Sequence, residues 1–152
     1  MGGAAEGGLS GEAESKAAAV SALALDTNVY SAFMRGTPAA VSALRAAHEI
    51  YVPLIVLGEL LAGFASGSRE RKNREELTQF MASPRVSLLL PDERTARHYA
   101  EIFAVLRALG TPVPTNDLWI AALARQHRLS LLTYDRHFSG IPRLEVAHPF
   151  PQ

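Results

Sequence analysis

The chain has 152 residues, 48% hydrophobic and 20% charged, with 15 basic and 15 acidic residues and so no formal net charge. That length suits one domain, no apolar run is as long as a membrane span, and the absence of cysteine excludes disulfides, thiolate nucleophiles and cysteine-based zinc sites. A cytoplasmic location fits this composition. Thirteen of the basic residues are Arg, a bias that a GC-rich genome explains and that also suits a surface contacting phosphate.

The first 20 residues, MGGAAEGGLSGEAESKAAAV, offer little to bury. Such a segment cannot offset its ordering entropy and is expected to be a disordered tail. It has neither the basic start nor the long apolar stretch of a signal peptide. Residues 21–152 are expected to form the single domain.

ALALDT (22–27) has the length and apolar character of a short buried strand. Residues 28–34 can start a helix. TPAAVSALRAAHE (37–49) opens on Thr and Pro, a helix-start signal, and IYVP (50–53) predicts a second strand. LIVLGELLAGFASG (54–67) predicts a buried helix ending on Gly67. SRERKNREELTQFMAS (68–83) predicts an amphipathic helix with Leu77, Phe80 and Met81 inward. Its RERKNR run is either a solvated face or a grip for RNA phosphates or an acidic partner. RVSLLLP (85–91) predicts a third strand.

DERTARHYAEIFAVLRALG (92–110) predicts a helix capped by Asp92 and stopped at Gly110. Its inward stripe is expected at Ala96, Tyr99, Ala100, Phe103, Leu106 and Leu109. TNDLWIAALARQH (115–127) predicts a further helix capped by Thr115 or Asn116, with Trp119 in the core. LSLLTY (129–134) and RLEVA (143–147) predict the last two strands. Alternating strands and helices, with strands apolar on both faces, predict a three-layer α/β/α sandwich around a short parallel sheet.

In such a sheet, functional groups gather beyond the carboxyl ends of the strands. Asp26 ends the first strand, Asp135 follows the fourth, and Asp117 lies in the first turn of the helix before it. Glu59 interrupts an apolar helix, where an ionised carboxylate needs a partner, a proton or a metal. Taken singly, Asp26 could belong to a capped turn, Asp117 to a helix N-terminus, Asp135 to a loop, and Glu59 to a pair with a buried Arg. Together they make a set of oxygen donors suited to Mg²⁺ or Mn²⁺. His127 and His137 lack ligand spacing to another His, and surface or packing roles are expected for both.

The order LDTN, GEL, TNDLWIAALA and LLTYDRHF resembles the PIN-domain ribonucleases, and within them the VapC-type toxins of toxin–antitoxin modules. The resemblance runs from about Leu23 to Val146; the long N-terminal tail departs from it. It implies a metal-dependent endoribonuclease whose catalytic, metal-binding quartet is Asp26, Glu59, Asp117 and Asp135. Asp26 and Asp117 would be direct ligands, and Thr27, Asn28, Asn116 and Thr133 would fix the carboxylates by hydrogen bonds. It further implies a tRNA as the first substrate to try, with ribosomal RNA behind it, a small antitoxin as partner, and a homodimer. A PIN fold that only binds RNA or a partner is the alternative. An aspartyl-phosphate enzyme is disfavoured: only Lys16 and Lys72 are available to neutralise a phosphate, and Asn28 stands where that chemistry wants a second acid.

Overall fold

The computed structural model describes residues 22–149; the expected N-terminal tail lies outside them. Five short apolar segments pair side by side: β1 (Ala22–Leu25), β2 (Glu49–Pro53), β3 (Val86–Leu89), β4 (Ser130–Leu132) and β5 (Val146–Ala147). All pairings are parallel, in the order β3-β2-β1-β4-β5. Parallel neighbours need crossovers; six α-helices among the described residues link β1 through β4, namely α1 (Thr27–Met34), α2 (Pro38–Ala46), α3 (Leu54–Ala65), α4 (Glu70–Met81), α5 (Glu93–Leu109) and α6 (Thr115–Gln126), and a 3₁₀ turn links β4 to β5. The result is the expected α/β sandwich. None of the described helices is long and apolar enough to cross a membrane.

Burial follows strand position. The central strand β1 carries Leu23, Ala24 and Leu25, and β4 is buried at all three residues. The edge strand β3 buries only its ends and leaves Leu88 exposed. The chain first winds outward from β1 through β2 to β3, then returns to place β4 on the other side of β1. That reversal opens a crevice at the carboxyl ends of β1 and β4, where open α/β sheets bind ligands.

Three local expectations shift in the structure. In α5 the buried residues are Thr95, Ile102 and Leu106, while Phe103 and Leu109 are exposed. The helix is thus rotated from the expected stripe, because it docks against α6. Thr95 lies at that junction, its hydroxyl bonded to Gln126 of α6. The long apolar α3 is not buried all round. Val56 and Leu60, one turn apart, are buried, whereas Leu57, Leu61 and Phe64 are only partly covered. Trp119 is half-buried against Tyr99, with ring centroids 4.5 Å apart, rather than enclosed in the core.

Caps fix where several helices start and stop. Asp92 and Thr95 form a reciprocal capping box at the start of α5. Gly110 ends that helix with φ +71°, a left-handed conformation that glycine adopts without a Cβ penalty. On α4, Arg71–Glu75, Lys72–Glu76 and Arg74–Glu70 pair one turn apart, so the basic run forms part of a solvated face.

Candidate active site

β1 and β4 run in register, Leu23 beside Ser130, Ala24 beside Leu131 and Leu25 beside Leu132. One residue further along stand Asp26 and Thr133. The Asp26 amide continues the ladder by donating to the Leu132 carbonyl at 3.1 Å. There β1 stops, because Asp26 caps α1, its Oδ1 accepting from the Thr27 amide at 2.8 Å. The other oxygen, Oδ2, accepts from the Thr133 hydroxyl at 2.6 Å. Asp26 is 6% exposed. Burial pushes its carboxyl above the usual carboxylate range; the Thr133 and Thr27 bonds pull it back, and Asp117 and Glu59 push it further up.

Glu59 projects from α3, and its position there explains the interruption of an apolar helix. Oε1 accepts from the Thr27 hydroxyl at 2.8 Å, and Oε2 receives a long 3.5 Å contact from the Asn116 amide. Thr27 therefore joins two acids, Asp26 through its backbone and Glu59 through its side chain. Asn28 takes a different part: its Oδ1 accepts from the Tyr134 amide at 3.1 Å, tying α1 to the loop after β4.

Asp117 reaches the crevice because the start of α6 departs from expectation. Pro114, not Thr115 or Asn116, occupies the capping position, and no side-chain cap forms. Asn116 and Asp117 thus sit inside the first turn with their side chains free to project. The Asp117 carboxyl is raised by burial, drawn down by His137, and raised again by Asp135 and Glu59.

Asp135 opens a short 3₁₀ turn, Arg136–Gly140, accepting from the His137 amide at 3.2 Å. Its own amide donates to Thr133 Oγ1 at 3.0 Å. Phe138, fully buried, anchors this turn to the core, a contribution of about 1.5–3 kcal/mol.

The four expected acids gather beyond the ends of β1 and β4: Asp26 and Glu59 lie near enough to Asp117 for their charges to act on one another, and Asp117 and Asp135 are close enough to share an ion. Of the four expected supporting residues, Thr27, Thr133 and, at 3.5 Å, Asn116 bond to these acids, whereas Asn28 accepts from the Tyr134 amide instead. Sequence reasoning missed His137. Its Nε2 lies 2.7 Å from Asp117 Oδ2, and its Nδ1 is in contact with Asp135 Oδ1. Asp117, Asp135 and His137 offer donor atoms within 4.8 Å of one another. The signal was available in the two-residue spacing from Asp135, which a tight turn folds back onto one side.

The donors fit a divalent cation. Carboxylate oxygens are the ligands hard cations take, and the buried Asp26 and half-buried Asp117, which repel one another, are groups whose ionised forms a cation stabilises.

This fold and site define a family. The chain belongs to the PIN-domain family, whose sequence profile matches residues 23–144. Within it, the chain is similar to the VapC ribonucleases. It is 34% identical over 101 residues to Ribonuclease VapC4 of Mycobacterium tuberculosis, spanning 66% of this chain and 78% of that protein. It is 33% identical over 129 residues to Ribonuclease VapC1 of Haemophilus influenzae, spanning 80% and 92%. Among solved structures, DNA-bound VapBC from Salmonella typhimurium superposes with a TM-score of 0.76 at 25% identity, covering 84% of this chain and 98% of that one. FitAcB from Neisseria gonorrhoeae superposes with a TM-score of 0.67 at 28% identity, covering 84% and 97%.

Proposed function

We propose that this chain is a Mg²⁺- or Mn²⁺-dependent endoribonuclease and the toxin of a toxin–antitoxin pair. The observation that carries the reading is the meeting of Asp26, Glu59, Asp117 and Asp135 at the crevice between β1 and β4. The similarity to proteins named as VapC ribonucleases, and to structures of VapBC and FitAcB complexes, supports both halves of it.

Asp26 and Asp117 would be the direct ligands of the cation, and Glu59 and Asp135 would bind it or hold its waters. A bound divalent cation supplies two things: a lowered pKa for the attacking water and stabilisation of charge on the phosphate. The protein's part is to hold the acids still. Thr133 and the Thr27 amide fix both oxygens of Asp26, Thr27 Oγ1 fixes Glu59, and Asn28 fixes the loop that delivers Asp135. Such supporting bonds orient ligands and tune the centre. Water attacks phosphorus in line, the bond to the 3′ oxygen breaks, and that oxygen leaves with a proton. The products carry a 5′-phosphate and a 3′-hydroxyl. A tRNA is the first substrate to test, and a homodimer in the cytoplasm is the expected assembly.

The antitoxin is a small protein encoded beside the toxin, and an Arg placed among these carboxylates would neutralise them as a cation does. The test is RNA cleavage by the purified chain with Mg²⁺ or Mn²⁺, with and without chelator, beside growth on expression alone and with the adjacent reading frame. Chelator-sensitive cleavage, growth arrest and rescue by the neighbour are expected. Cation binding without cleavage would leave a binding module instead. Cleavage with unaffected growth would remove the toxin role.

A further inference from the structure

His137 brings imidazole nitrogen up to two of the carboxylates, Asp117 and Asp135. It is also held in place. The 3₁₀ turn opened by Asp135 folds His137 back so that its amide donates to Asp135 Oδ1. The ring lies nearly parallel to buried Phe138, with centroids 4.9 Å apart and planes 22° apart. One ring nitrogen meets Asp117 and the other Asp135, while 36% of the side chain faces solvent. A side chain that served only to cover the turn would have no need to aim both nitrogens at acids from two separate elements.

We propose that His137 is a ligand of the cation bound between Asp117 and Asp135, making the centre a mixed nitrogen–oxygen site that takes Mn²⁺ in preference to Mg²⁺. The inference rests on the reading that these acids bind a divalent cation. Its ground is donor chemistry. Mg²⁺ demands oxygen ligands in a near-ideal octahedron and gives up water reluctantly. Imidazole nitrogen suits transition-metal ions, and Mn²⁺, a transition-metal ion that also takes carboxylate oxygen, accepts it more readily than Mg²⁺ does. Asp117, Asp135 and His137 already hold their donor atoms within 4.8 Å of one another, near enough for the three to share one ion. Nε2, on the Asp117 side, is the donor.

The experiment uses the full chain freed of metal by chelator and loaded with Mn²⁺ alone, then with Mg²⁺ alone. Pulsed electron paramagnetic resonance of the Mn²⁺ form should show coupling to an imidazole nitrogen, and His137→Ala and His137→Gln should both lose it. Calorimetric titration should show Mn²⁺ affinity falling about tenfold or more in both variants, with Mg²⁺ affinity changed much less.

Mn²⁺ bound without nitrogen coupling in the unsubstituted chain overturns the proposal and leaves the carboxylate site standing. Equal weakening of both ions in the Ala variant, restored by Gln, makes His137 a hydrogen-bonding support for the acids and also overturns it. Tighter Mn²⁺ binding by the Ala variant shows that the ring occupies the cation's place, and the proposal falls there too. Failure of Mn²⁺ to bind the unsubstituted chain removes both this inference and the metal reading beneath it. The spectrum of the unsubstituted chain is decisive even if a variant fails to fold.

Discussion

The hydroxyl of Thr133 donates to Oδ2 of Asp26 at 2.6 Å, joining the ends of two adjacent parallel strands across 107 positions of sequence. Thr133 is fully buried, and its Oγ1 also accepts from the Asp135 amide at 3.0 Å. One hydroxyl thus steadies an acid on each side of the crevice. Thr133→Val keeps the shape and deletes both bonds, leaving a buried carboxylate short of a donor. A loss of about 1–3 kcal/mol is expected, together with at least a roughly tenfold fall in cleavage. Thr133→Ser should retain most of both. Denaturant melts and an RNase assay on the two variants check this; an inactive Ser variant beside an active Val one would contradict it.

Asp26→Asn tests the electrostatics of the buried acid. Its carboxyl is raised in the fold above 3.8, chiefly by burial. Between the unfolded and folded values the native state binds more protons, so this group makes stability fall as pH rises through that window. Asn keeps the oxygen that caps α1 and lacks the charge. The variant's stability advantage over the parent should therefore be small below about pH 4 and grow to a plateau above the raised value. Cleavage should be lost. Metal-free denaturant melts across the acid-to-neutral range check the sign, and an advantage that shrinks with rising pH contradicts it.

Asp117→Asn separates a metal ligand from an ordinary helix-start acid. As a ligand, Asp117 is needed for cleavage, and its replacement relieves repulsion from Asp135 and Glu59. Metal-free stability should stay equal or rise slightly. Mn²⁺ at a hundred times its dissociation constant should stabilise the parent by about 2.7 kcal/mol, and the variant much less. An acid serving only the α6 dipole predicts a loss of about 0.3–1 kcal/mol with activity kept. Thermal melts with and without Mn²⁺, beside the RNase assay, decide between them.

Gly110→Ala probes the fold apart from the site. The position has φ +71° and open space where a Cβ would go, so the cost is backbone strain alone. The Thr111 amide closes the end of α5 onto the Leu106 carbonyl at 3.0 Å, and that closure needs the left-handed residue. A loss of about 1 kcal/mol is expected, with cleavage per folded molecule unchanged. A fall in specific activity at full folding would mean that the α5 terminus reaches the site.

The element order was legible in the amino-acid sequence, because that order is written in local physics. Short apolar runs are too brief for helices, and caps and glycine stops such as Asp92 and Gly110 act within a few residues. The amphipathic spacing of α4 is equally local. Asp26 was legible for the same reason: an acid closing an apolar run, followed by a helix, is both a strand end and a cap. Which groups meet is set by long-range packing instead. The β1–β4 register, which sets Asp26 beside Thr133, comes from the burial of Leu23, Leu25, Leu131 and Leu132 against the whole core, and no local pattern encodes it. The true inner face of α5 depended on docking against α6, and the reach of Asp117 on Pro114 taking the cap. His137 was hidden longest, since its two-residue spacing from Asp135 points to a shared site only where a tight turn folds the two together. It became visible once buried Phe138 had anchored the turn that aims the ring at two carboxylates.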